Sequence, residues 1–185
     1  VMTATPIPRT LAMTAFGDLD VSIIRHSPPG RGKVITRWVD KRDRPKAFEF
    51  IRQRLRAGKQ AYFVYPQIAA VERDSDVRAA TEQWKNLSQK VFPEFTVELL
   101  HGRMSSAQKQ QVFARFRSGK IDVLVSTVVV EVGIDVPNAT VMVIEGADRF
   151  GLAQLHQLRG RIGRAEAQSY CLLFAETDSD VAKQR

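Results

Sequence analysis

Four apolar runs constrain this chain more than any other feature: "QAYFVYP" (60–66), "DVLVST" (122–127), "TVMVIEG" (140–146) and "SYCLLFAE" (169–176). Each is short for a helix and too continuously apolar for a strand with one face in water. Such runs read as strands buried on both sides. "VITRWV" (34–39) and "TVELLHG" (96–102) read as further strands. Between them lie segments with apolar residues at helical spacing: "RPKAFEFIRQRLRAG" (44–58), "VRAATEQWKNLSQKVF" (77–92), "SSAQKQQVFARFRSG" (105–119) and "GLAQLHQLRG" (151–160). A short connecting helix is expected between 128 and 138. Ser105 and Gln108 have capping-box spacing, and Gly58 and Gly119 supply helix stops. Strands alternating with helices imply a three-layer α/β/α domain around a mainly parallel sheet. The order of the strands is not legible from this pattern.

The first 32 residues read differently. "VMTATPIPRT" resembles the end of a buried strand and a proline-punctuated turn, "RTLAMTAFG" has helical spacing, and "LDVSII" reads as a strand. "RHSPPGRGK" is a stiff, basic linker. We therefore expect residues 1–32 to be the tail of a preceding domain and a linker, and 33–185 to be the compact unit. The chain reads as a piece of a longer protein.

With 185 residues, 44% of them apolar and 26% charged, the composition is that of an ordinary globular domain. No apolar run approaches the roughly 20 residues of a membrane span. One cysteine, Cys171, excludes a disulfide framework and a cysteine-cluster zinc site. The formal net charge of +8 points to an anionic partner, nucleic acid foremost. From Arg25 to Lys59 there are twelve Lys or Arg against three Asp or Glu, while the rest is near neutral. That excess suits either a solvated face or a phosphate-tracking surface. Trp38 and Trp84 lie in apolar patterns and are expected in the core.

In parallel sheets, ligands bind at the carboxyl ends of strands. His101-Gly102-Arg103, Ser126-Thr127 and Glu145-Gly146 are expected there, with the arginine group of "HQLRGRIGR" (156–164) joining them. Arginines so close together repel one another unless something anionic faces them. They also complement the C-terminal dipole of a helix, so both readings stand on pattern alone. No G-x-x-x-x-G-K-[ST] loop is present, and no acidic cluster on a strand end is suited to Mg²⁺. A chain like this would supply the second wall of a nucleotide cleft. Arginine fits that role because its planar fork matches phosphate oxygens and stays charged.

Four stretches carry a resemblance. "QLRGRIGR" (157–164) resembles motif VI of superfamily 2 helicases, "VLVSTVVVEVGIDVPNA" (123–139) motif V, and "TATPIPR" (3–9) motif III. "LLHGRMSSAQKQQVFARF" (99–116) is similar to the segment after motif IV that touches DNA backbone. Within that superfamily, "GDLDVSII", "PPGR", "FPEFTVELLHGRM" and "DRFGLAQLHQLRGRIGR" resemble the bacterial RecG branch-migration helicases, with Mfd-type transcription-repair translocases the nearest alternative.

The resemblance implies a RecA-like second helicase lobe, preceded by the tail of the first, acting on branched or double-stranded DNA. Arg161 and Arg164 would be the ATP-facing arginines, with Gln157, Gly133 and Asp135 also at the nucleotide. His101, Gly102, Arg103 and Thr127 would meet DNA, while Thr3 and Thr5 would couple the lobes. ATP and Mg²⁺ would be held mainly by a first lobe, which with a wedge domain would be the partner in cis. A cytoplasmic bacterial monomer without a membrane partner is implied. Val128 departs from the threonine usual in RecG-like chains, so a backbone contact from that position is not expected here. A non-catalytic nucleic-acid-binding module is the reading from another class. It predicts eroded nucleotide-facing residues, whereas Gln157, Arg161 and Arg164 are all present.

Overall fold

In the computed structural model, residues 32–66, 73–127, 136–163 and 167–175 are described. The helix and strand expected before residue 31 and the short helix expected after Thr127 lie outside them. So do Thr3, Thr5, Val128, Gly133, Asp135 and Arg164.

Among the described residues six strands form one sheet in the order β1-β6-β5-β2-β4-β3, and every pairing is parallel. They are β1 (Val34–Val39), β2 (Gln60–Val64), β3 (Val97–Leu100), β4 (Val123–Ser126), β5 (Ala139–Glu145) and β6 (Ser169–Phe174). The helices are α1 (Arg44–Arg56), α2 (Arg73–Asn86), α3 (Ser106–Arg117) and α4 (Leu152–Arg159). Helix α2 begins four residues before the expected start and ends in a π-helical turn, Leu87–Val91.

Alternate residues of the central strands feed two cores, and this follows from the two-residue period of a strand. Tyr62, Val64, Leu124, Met142, Ile144 and Cys171 pack under α3 and α4, meeting Val112, Phe116 and Leu158. Ala61, Phe63, Val125, Val143, Leu172 and Phe174 pack under α1 and α2, meeting Ile51, Leu55 and Leu87. All residues of β2, β4 and β5 are buried, so the unbroken apolar runs are explained by burial on both faces. Trp84 packs against the second core and its Nε1 donates to Val97 O at 2.9 Å. Trp38 departs from expectation. It is half-buried because β1 is an edge strand, and its Nε1 donates to Asp40 Oδ1 at 2.9 Å.

Candidate functional site

A parallel sheet has two unlike rims. At the carboxyl rim, Leu100 pairs with Ser126, so His101 and Thr127 leave β3 and β4 side by side. The backbone confirms this, with Thr127 N–H donating to Leu100 O at 3.3 Å. After His101 the chain turns tightly, Met104 N–H donating to His101 O at 3.2 Å, and this leaves Gly102 and Arg103 exposed. The turn is braced from α3, where Lys109 Nζ donates to Gly102 O at 3.0 Å. Helix α3 starts with the expected reciprocal cap: Gln108 N–H donates to Ser105 Oγ, and Ser105 N–H to Gln108 Oε1. His101 Nδ1 is buried without a partner among the described residues.

Further along the same rim, Glu145 closes β5 and pairs with Arg44, the first residue of α1, at 2.9 Å. Arg44 also lies over the Phe174 ring, 5.0 Å from its centroid. A cleft of about 190 Å³ opens beside this pair, lined among others by Tyr65, Gln83, Thr127 and Arg149. Burial, reinforced by the Glu145 charge, pushes the Tyr65 hydroxyl well above its usual pKa, so it stays a protonated donor. Sequence reasoning missed Arg44, Tyr65 and Arg149, because what joins them is a meeting of strand ends far apart in the chain.

The arginine group does not join this rim. Helix α4 carries the chain from the carboxyl end of β5 back toward the amino end of β6. The turn after it, with Arg161 N–H donating to Leu158 O at 2.9 Å, is anchored by buried Ile162. Its Gly163 lies against Val34 and Ser169, the first residues of β1 and β6. Gln157, in the last turn of α4, and Arg161, in the turn after it, are half-buried on that side. Arg159 is separate from them, lining an apolar groove with Thr36, Leu155 and Cys171. The expectation that the arginine group joins the other strand-end residues at the carboxyl ends is corrected: the described candidates divide between opposite rims.

Much of the basic excess is engaged within the fold. Arg52 pairs with Glu49 and Glu94, Lys46 with Asp43, and Arg54 stacks on Phe50 and Tyr170 while donating to the Tyr170 hydroxyl. Among the described residues no cluster of three or more His, Cys, Asp or Glu side chains is suited to a metal ion. No helix there is long and apolar enough to cross a membrane.

Comparison with known proteins decides the family. The helicase conserved C-terminal domain matches residues 34–166, most of the chain. This chain belongs to that helicase family. Its whole length is also 53% identical to part of the ATP-dependent DNA helicase RecG of Synechocystis sp., covering 22% of that protein. The RecG of Thermotoga maritima is 49% identical over 185 residues, covering 24% of its length. A structure of RecG bound to a three-way DNA junction superposes with a TM-score of 0.80 and 47% identity, over 98% of this chain and 23% of that one. The helicase Lhr of Mycobacterium smegmatis, at 22% identity and TM-score 0.65, shares the fold. The resemblance to RecG and the RecA-like lobe expected from the sequence are both borne out. This helicase domain spans about a quarter of the length of the curated relatives it matches.

Proposed function

We propose that this domain is the second motor lobe of an ATP-dependent DNA helicase that remodels branched DNA, such as stalled forks and Holliday junctions. The observation that carries this reading is the division of candidate residues between two rims of one rigid sheet. A motor lobe must meet two anions at once, nucleotide phosphates and a DNA backbone, and must keep them apart. Residues 33–185 form that lobe, and 1–32 join it to a first lobe through Thr3 and Thr5.

Arg161, on the amino rim, faces the phosphates of ATP bound on a first lobe with Gln157 near it, and the helicase resemblance assigns Arg164, Gly133 and Asp135 to the same nucleotide. ATP, held with Mg²⁺ mainly on that lobe, closes the cleft when it binds between the lobes, and its hydrolysis reopens it. The arginines hold positive charge against the γ-phosphate as its bond to the departing ADP breaks and water takes it up, an effect worth 10³–10⁵ in rate where it has been measured in other phosphoryl-transfer proteins. This domain has no phosphate loop, so alone it does not hydrolyse ATP. On the carboxyl rim, His101, the Gly102 backbone, Arg103 and Thr127 grip DNA phosphates, which fixes position without reading sequence. Ligand-driven hinge closure then moves one grip relative to the other. The protein works as a monomer in the bacterial cytoplasm, with a wedge domain in cis.

The test is DNA-stimulated ATPase activity and junction binding of the full-length protein. Arg161→Ala and Arg164→Ala are expected to lower stimulated hydrolysis by about 10²-fold or more while leaving junction binding intact. Arg103→Ala is expected to weaken junction binding first. If Arg161→Ala and Arg164→Ala instead reduce binding and spare hydrolysis, the assignment of the two rims is wrong.

A further inference from the structure

We propose that the cleft midway along the carboxyl rim seats one phosphate of the DNA backbone, with Arg44 as its principal cation and Glu145 as the positioning residue that aims Arg44. The inference rests on the reading of this rim as the DNA face and extends it beyond His101, Arg103 and Thr127.

The cleft brings together the groups that a phosphate diester requires. Arg44 and Arg149 supply two guanidinium groups, Glu145 one carboxylate, and Tyr65, Thr127 and Gln83 neutral hydrogen-bond donors. The formal charge of that lining is positive. Tyr65 remains a donor at any working pH, since burial and the neighbouring carboxylate disfavour its ionisation. A volume of about 190 Å³ is below the roughly 300–1,000 Å³ of pockets that enclose whole small ligands. It suits one projecting group of a longer molecule.

The Arg44–Glu145 pair is asymmetric, and the asymmetry has a direction. Arg44 Nη2 meets Glu145 Oε2 at 2.9 Å, and Nη1 reaches Oε1 at 3.5 Å, so one edge of the fork faces the carboxylate. The Phe174 ring holds the guanidinium from one side. Arg44 Nε is buried without a partner among the described residues, so part of the fork's donor capacity is unspent. The arginine side chain is 27% exposed and the carboxylate 12%, so an arriving anion meets the cation first. Arg44 also opens α1, where the positive end of the helix dipole adds to its charge. A pair serving stability alone has no need of a more accessible cation, a second arginine and three neutral donors around one cleft. Thr127 lines the same cleft, which makes it continuous with the DNA contacts proposed on β3 and β4.

The experiment measures binding of the full-length protein to a fluorescent three-way junction as a function of salt, with thermal unfolding of each variant in parallel. Arg44→Gln is expected to weaken binding about tenfold and to flatten the log–log salt slope by about one. Arg44→Lys keeps the charge, so the wild-type slope is expected with a smaller loss of affinity. Glu145→Gln is expected to bind DNA at least as tightly as wild type, because the amide oxygen still accepts from Arg44 and keeps it aimed while the negative charge that opposes the phosphate is gone. A structural pair predicts the opposite: Arg44→Gln and Glu145→Gln would weaken binding alike, in step with lost thermal stability, and that result overturns the proposal. Should Arg44→Gln fail to fold, Arg149→Gln with Glu145→Gln tests the same reversal of sign. Arg103→Gln separates the two levels of inference. If it weakens binding while the Arg44 and Arg149 variants do not, only the phosphate seat falls; if none does, the DNA face falls with it.

Discussion

Gly163 packs against the side chain of Val34, so the turn that holds Arg161 is fixed to the first residue of strand β1. Its backbone lies at φ +72°, a region that residues with a β-carbon rarely adopt. A β-carbon added there would overlap Val34. The glycine therefore answers two demands at once, a left-handed turn and close approach to a strand.

Gly163→Ala is expected to destabilise the domain by about 1–3 kcal/mol, from backbone strain and steric overlap together. Gly160→Ala is the comparison. Gly160 has an ordinary φ of −68° and a new β-carbon would lie 3.4 Å from backbone oxygens, so its cost is expected to be within about 1 kcal/mol. Urea denaturation of both variants checks the difference, and equal losses would remove the special role of the Val34 contact.

Gln60 is buried at the start of β2, and its Nε2 donates to Phe116 O and Ile121 O, each at 2.6 Å. It ties the end of α3 to the entry of β4. Gln60→Leu keeps the volume but takes this donor from both carbonyls, leaving Phe116 O with the Gly119 N–H at 3.1 Å and Ile121 O without its side-chain partner, and a loss of about 1–3 kcal/mol is expected. Equilibrium unfolding reads it directly; an unchanged midpoint would mean that the carbonyls find other donors.

Burial pushes the Cys171 thiol from 9.0 up to about 12, with nearby Arg159 opposing the shift. Alkylation near pH 8 is therefore expected to be slower in the folded protein by about a hundredfold or more than in urea. The raised value also sets a sign for stability. The folded state holds this proton more tightly than the unfolded chain does, so the contribution is complete below about pH 9 and is lost as pH rises toward 12. Comparing alkaline unfolding of the wild type with Cys171→Ala isolates that part.

The reciprocal cap at Ser105 starts α3 directly after the His101–Met104 turn. Ser105→Ala is expected to cost about 1 kcal/mol. Hydrogen exchange should quicken first at the amides of Ser106–Lys109, and exchange that quickens uniformly across the sheet would show that the cap acts globally.

The elements were legible in the sequence because burial on both faces writes itself as unbroken apolar runs, as in Ala61–Val64 and Val141–Ile144. The Ser105–Gln108 cap was legible because it is local. What joins distant segments was not. Nothing near Arg44 announces Glu145, 101 positions away, and the pair exists only because β5 ends beside the start of α1. The arginine turn was assigned to the wrong rim for a related reason. Position along the chain shows that it follows a strand and a helix, but α4 crosses the full depth of the sheet before the turn begins. Trp38 looked like core because its strand is apolar, and only the strand order reveals it at an edge. Thr127 and His101 were legible as strand-end residues, and their adjacency needed the β3–β4 register.

The edge where β1 meets β6 has a consequence for how the domain assembles. Gln168 Nε2 donates to Lys33 O at 2.6 Å across 135 positions, and Val34 pairs with Ser169 beside it. Contacts of such separation carry the largest loop-closure entropy and tend to form late. During synthesis β1 must wait, unpaired on its inner edge, until almost the whole domain has left the ribosome. Gly163 rests on that same seam, so the arginine turn takes its final shape only when the first strand and the last have met.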